Sequence, residues 1–239
     1  MVRVCLYFTV GSYLIASGRE FHAPDHRERS TEVVDLANTD STLSFGKLPF
    51  RRYGAVGAMF GNAPMLCGGG SVDRIIFYDS CISFQNSQWN LSHSMMEKRQ
   101  NAAGVQINSN TFWILGGSST TFNHLDSTEF IVQGQSKGVP GPKLPYGLQK
   151  SCVVKLSEYE IFVIGGGSPF KKEVWIYNPQ NDFSRKEGPS LTTAREEHCC
   201  STMRDGENTF IIVAGGKGPM DNLISVEIYD PTDLKWHSG

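Results

Sequence analysis

The side chains of this 239-residue chain that could do chemistry are its six cysteines, six histidines and a handful of well-spaced basic residues. The cysteines are Cys5, Cys67, Cys81, Cys152, Cys199 and Cys200, and no two are in C-x-x-C spacing, so the usual zinc-ligand pattern is missing. Cys67 closes one apolar run and Cys81 opens the next. A hairpin centred on the 68–80 loop sets the two opposite each other, which suits a cross-strand disulfide. Two buried thiols are the alternative, because free Cys packs as a small apolar residue. His22 and His26 stand four apart, a metal-binding spacing on a helix. Pro24 and Asp25 between them point instead to a solvated loop. His93, His124 and His237 form no pattern. Asn90, Leu91 and Ser92 make an N-glycosylation acceptor triplet if the chain is secreted.

Other reaction signatures are absent. There is no GxSxG elbow, P-loop or GxGxxG. The glycine runs Gly68–Gly70 and Gly165–Gly167 follow apolar segments and open no helix, so they are not phosphate loops. No metal and no cofactor is expected. The 22 basic and 24 acidic residues nearly balance, with neither the basic stripe of a nucleic-acid binder nor an acidic tail. Apolar residues form 39% of the chain, enough for a core. No stretch reaches the roughly 18 apolar residues that a membrane-spanning helix needs.

The elements that must position these residues emerge from a period. Apolar runs ending in small residues recur at Tyr13–Gly18, Pro64–Gly69, Phe112–Gly117, Ile161–Gly166 and Ile211–Gly216. Their first glycines are Gly18, Gly68, Gly116, Gly165 and Gly215, so the step stays close to fifty residues. Each run is short, β-branched or aromatic, and closed by glycine, as a buried strand reads. A second strand follows a polar loop in every unit, at Ser30–Asp35, Cys81–Phe84, Ser127–Ile131, Glu173–Tyr177 and Ser225–Asp230. Phe45, Trp89, Phe183 and Trp236 then mark an outer strand, whose aromatic the third unit lacks. Further strands contain 54–59, 101–107, 151–156 and 198–203. Four strands per unit predict an all-β propeller of five four-stranded blades in one domain over 1–239, with blades at about 1–49, 50–98, 99–146, 147–194 and 195–239. The second glycines Gly69, Gly117, Gly166 and Gly216 serve close backbone approach. Met1–Ser17 fits either a signal peptide or blade strands.

With Gly-Gly after an apolar strand, and Tyr177, Tyr229 or Phe84 followed by Phe183, Trp236 or Trp89, the chain resembles the kelch repeat. The resemblance covers nearly the whole chain and is strongest over 50–98, 147–194 and 195–239. The first unit departs from it at Arg19 and Val34. It implies a non-catalytic module binding a protein, peptide or glycan. Rival readings are the propeller of a cullin-type ubiquitin-ligase adaptor and an extracellular oxidase or sugar-modifying enzyme; a copper oxidase would need converging Tyr and His ligands, which the sequence does not single out. Some secreted kelch-like sequences carry a CGG…C arrangement, which supports the Cys67–Cys81 bond and favours an extracellular over a cytoplasmic location. Cys5, Cys152 and Cys199 share an offset before their glycines and read as repeat-core residues. His198, three after Arg195, takes a kelch position for a structural hydrogen-bonding histidine. Kelch rings usually have six or seven blades, so five units predict an open ring that dimerises or is poorly soluble.

The binding face is expected at the loops 19–29, 70–80, 118–126, 167–172 and 217–223. Arg52, Arg99, Lys150 and Arg195 each open an innermost strand, and as four like charges at one mouth they would favour an acidic ligand. The alternative is that each pairs with a nearby carboxylate such as Glu97, Glu196 or Glu197.

Overall fold

Apolar runs punctuated by glycine pairs and short turns leave the backbone one economical way to satisfy its hydrogen bonds, the antiparallel meander. The computed structural model describes residues 2–10, 13–20, 30–35, 42–71, 76–120, 123–167 and 169–239. It is all-β among these residues, with no helix, and so none long and apolar enough to cross a membrane. His22, His26 and parts of the predicted loops 19–29, 70–80, 118–126 and 167–172 lie outside the described residues.

Five antiparallel sheets follow one another along the chain. The first contains β1 (Val2–Val10), β2 (Tyr13–Glu20), β3 (Ser30–Asp35) and β4 (Thr42–Lys47). In the second, β5 (Tyr53–Phe60), β6 (Ala63–Ser71), β8 (Ser80–Gln85) and β9 (Gln88–Ser94) lie in order, and the short β7 (Ile76–Phe77) also pairs with β6. The third has β10 (Ala103–Asn108), β11 (Thr111–Leu115), β12 (Thr128–Val132) and β13 (Val139–Pro140). The fourth has β14 (Cys152–Lys155), β15 (Ile161–Gly166), β16 (Lys171–Asn178) and β17 (Ser184–Glu187). The fifth has β18 (Cys199–Asp205), β19 (Asn208–Ala214), β20 (Val226–Asp230) and β21 (Lys235–Ser238). Strand order equals chain order in each, a layout consistent with a β-propeller-like fold. Every predicted strand is present within a few residues. The outer strand β13 is only two residues long, in the unit without an outer aromatic, where Pro140 and Pro142 curtail the ladder.

The chain divides into two compact units, residues 1–147 and 148–239. In the first, the face of the second sheet carrying Val56, Ala58, Phe60, Met65, Cys67 and Cys81 packs with Met95 against Phe112, Ile114 and Ile131 of the third. Leu48, Leu66, Ile82 and Trp89 form a neighbouring cluster. In the second unit, Val154, Phe162, Ile164, Val174 and Ile176 pack against Ile211, Val213 and Tyr229. Tyr177 is fully buried, while Tyr229 lies between Phe162 and Trp236, with ring centroids 5.0 and 5.4 Å away. The Trp236 indole N–H donates to the Pro189 carbonyl at 2.8 Å. A flat aromatic closing the outer strand over the preceding turn explains why an aromatic recurs there.

Candidate functional site

At the end of the second strand of the second to fifth sheets, a glycine pair turns the chain through two consecutive left-handed residues. φ is 68° and 82° at Gly68 and Gly69, 59° and 88° at Gly116 and Gly117, 55° and 114° at Gly165 and Gly166, and 64° and 89° at Gly215 and Gly216. Only glycine adopts this pair of conformations without steric cost. The turn also brings backbones of successive sheets together: the Gly69 N–H donates to the Arg99 carbonyl at 2.7 Å, and Gly166 to that of Arg195 at 2.8 Å. Gly18 lies in β2, paired with Val4.

The guanidinium groups complete this junction. Arg52 donates to the carbonyls of Gly68 (2.6 Å) and Ser80 (2.9 Å) and to the Ser80 hydroxyl (2.6 Å). Arg99 donates to the carbonyls of Gly116 and Ser127 (both 2.9 Å), to the Ser127 hydroxyl (3.0 Å) and to Glu97 (3.0 Å); its Nε donates to Glu129 at 2.7 Å. Arg195 repeats the set on Gly215 (3.0 Å), Ser225 (carbonyl 3.2 Å, hydroxyl 3.1 Å) and Glu227 (2.7 Å). Each arginine therefore joins the preceding sheet through its carbonyl or the following one through its side chain, and Arg99 and Arg195 do both.

These three arginines are 1%, 1% and 0% exposed. That corrects the expectation that they meet a ligand: each guanidinium lies inside the fold with its terminal nitrogens on backbone carbonyls and a serine hydroxyl, and its donors do not reach solvent. Among the described residues Arg52 makes no ion pair with a carboxylate. Burial lowers its pKa to about 10, although Tyr78, whose ring lies 4.7 Å from its guanidinium, and Asp79 oppose the shift. Glu227 is held below the usual carboxylate range: burial pushes it up, but hydrogen bonds from Thr192 and Thr193 and the charge of Arg195 outweigh it.

Lys150 does not share the arginine position. Gly167 N–H donates to the Gln149 carbonyl just as Ser118 does to Gln100 and Lys217 to Glu196, so the residue matching the arginines is the buried Leu148. Lys150 matches Gly54, Asn101 and Glu197, all left-handed at φ 54–62°. The partners changed together with the arginine, since Glu173 and Trp175 stand where the other sheets have the serine and, two residues on, Glu129 or Glu227. Lys150 instead binds Glu197 at 2.7 Å and Glu196 at 3.1 Å, and Glu197 also binds Lys217 at 3.0 Å. Burial alone would lower the Lys150 pKa, but these carboxylates raise it. Two lysines and two glutamates cancel, which removes the basis for an acidic ligand here.

The accessible chemistry of this end lies on the loops. Met220 is 90% exposed and Ile224 fully exposed, on the segment between β19 and β20. Sequence reading missed both, and their only signal was apolar residues within a polar loop. Among the described residues no group of three or more His, Cys, Asp or Glu could hold a metal ion. His198 is buried beside Arg195, and its pKa falls to about 4, first through burial and then through that cation.

The Cys5 side chain lies outside the described residues; among the described ones the cysteines form two pairs at disulfide distance. Cys67 and Cys81 face each other in register with Cα atoms 4.0 Å apart, in the expected pairing. Cys152 pairs with Cys200, linking β14 to β18 at a Cα separation of 5.9 Å. The core expectation for Cys199 is thereby corrected. Successive strand residues face opposite ways, so Cys200 turns to the neighbouring sheet and Cys199 is an exposed free thiol. Comparison with known proteins found no matching family model and no matching curated protein.

Proposed function

We propose that this chain is a kelch-type propeller module of five blades. In this reading it is non-catalytic and binds a protein or peptide partner through the loops that follow the second strand of each sheet. Reading the sheets as kelch blades draws support from the fifty-residue period, the glycine pairs and the aromatics Trp89, Tyr177, Tyr229 and Trp236. The observation that carries the binding role is the division of labour at the glycine end: the repeated charged residues are consumed by the scaffold, while Met220 and Ile224 project into solvent. Large apolar side chains held out on a loop by a rigid sheet are contact residues for another apolar surface. The two cysteine pairs favour an extracellular partner over a cytosolic adaptor role, because disulfides persist in oxidising compartments.

The test is quantitative capture on immobilised full-length chain, comparing wild type with a Met220→Asp/Ile224→Asp variant of unchanged melting temperature. Proteins retained by the first and lost by the second support the reading. Identical profiles on the two would refute it.

A further inference from the structure

Asn90 lies on β9, the edge strand of the second sheet, and is exposed. It begins the chain's only Asn-x-Ser/Thr triplet. The β8–β9 ladder pairs Ser83 with Asn90, Ile82 with Leu91 and Cys81 with His93, so Ser92 is the extra residue of a bulge. The bulge breaks the alternation of faces, and Leu91, next to the exposed Asn90, is itself 65% exposed. The Asn90 carboxamide is loosely held, its Nδ2 donating to the Gln88 and Gln85 carbonyls at 3.3 and 3.5 Å. The Ser92 hydroxyl is buried and makes no hydrogen bond, so the fold does not use the group that an acceptor triplet requires. Two disulfide-distance pairs independently point to the oxidising compartment in which such triplets are read.

We propose that Asn90 is an N-glycosylation site and that its glycan covers Leu91 and the outer edge of β9 beside it, ahead of Ser94, where the strand is bridged to Lys137. In the transfer, Nδ2 of Asn90 attacks the anomeric carbon of an oligosaccharide carried on a polyisoprenyl pyrophosphate. The new C–N bond replaces the C–O bond to pyrophosphate, which departs as the leaving group while the amide nitrogen gives up one proton. A bulky polar chain on an exposed strand edge blocks edge-to-edge pairing, the standing hazard of such edges.

The experiment is secretion of the full chain from animal cells behind a cleavable signal, with peptide N-glycosidase digestion followed by intact and peptide mass spectrometry. The expected result is one downward mass shift with Asn90 converted to Asp. The shift is lost in Asn90→Gln and in Ser92→Ala but retained in Ser92→Thr, which separates acceptor chemistry from folding. Light scattering should show self-association only after the glycan is removed. Secreted chain with Asn90 unmodified overturns the site, and a deglycosylated chain that stays as dispersed as the untreated one overturns the shielding.

Discussion

Replacing Arg99 by Met isolates the buried junction most cleanly. Arg99 is 1% exposed and donates five hydrogen bonds, one of them to a Glu129 that is itself fully buried. Met fills a similar volume but leaves that carboxylate without its cation and the Gly116 and Ser127 carbonyls without these donors. Breaking a buried pair by removing one partner costs about 3–5 kcal/mol. For a chain of this size each kcal/mol lowers Tm by about 2–4 °C, so the expected drop is about 6–20 °C. Arg52→Met strands no carboxylate and should cost less, about 1–3 kcal/mol for its orphaned acceptors. A double-mutant cycle with Glu129→Met should return a favourable coupling of about 0.5–3 kcal/mol between Arg99 and Glu129. Differential scanning calorimetry and urea titration read all five proteins. An Arg99→Met chain within 0.5 kcal/mol of wild type, or a coupling of zero, refutes the reasoning and would return Arg99 to the solvent-facing role.

Non-reduced peptide mapping of secreted chain should find Cys67 joined to Cys81 and Cys152 to Cys200, with Cys199 the one of these five that takes a maleimide without denaturant. The two crosslinks close separations of 14 and 48 residues, so the chain-entropy estimate gives about 3 and about 4 kcal/mol, and Cys200→Ser should lower Tm at least as far as Cys81→Ser. His198 carries a pH dependence of definite sign. Its folded pKa of about 4 lies below the ordinary 6.5, so the unfolded chain binds more protons between those values, and stability is full above pH 6.5 and declines as pH falls toward 4. The shift corresponds to about 3 kcal/mol, and His198→Ala, which installs the residue found at the matching positions 55 and 102, should flatten urea midpoints across that window. An unchanged slope in that variant contradicts the assignment.

The strands were legible because a period of about fifty residues with glycine closures specifies where each apolar run starts and stops. The junction was not, because charge was matched by spacing to the next strand rather than to the glycine turn. Spacing to the next strand puts Lys150 with the arginines, although Glu173 and Trp175, in place of the serine and glutamate, mark this sheet as having abandoned the motif. Arg99 and Arg195 look solvent-facing from sequence, since their partners lie about thirty residues away and only the register brings Ser127 with Glu129, and Ser225 with Glu227, to the guanidinium. The Cys152–Cys200 pair was hidden by a single-residue question of facing. Adjacent Cys199 and Cys200 are chemically identical, and only the pleat decides which meets β14.

Site-specific photo-crosslinking tests the binding role most directly. Within the fifth sheet, Met220 lies on the β19–β20 loop at the glycine end, and Leu234, 62% exposed, lies on the β20–β21 turn at the opposite end. Both are apolar and open to solvent, so non-specific adhesion would label from either. With a photoreactive phenylalanine at each position in turn, and the secreting cells' own medium as the partner source, the account predicts a discrete adduct from position 220 and none from position 234. Equal labelling from the two, or an adduct from 234 alone, would contradict it.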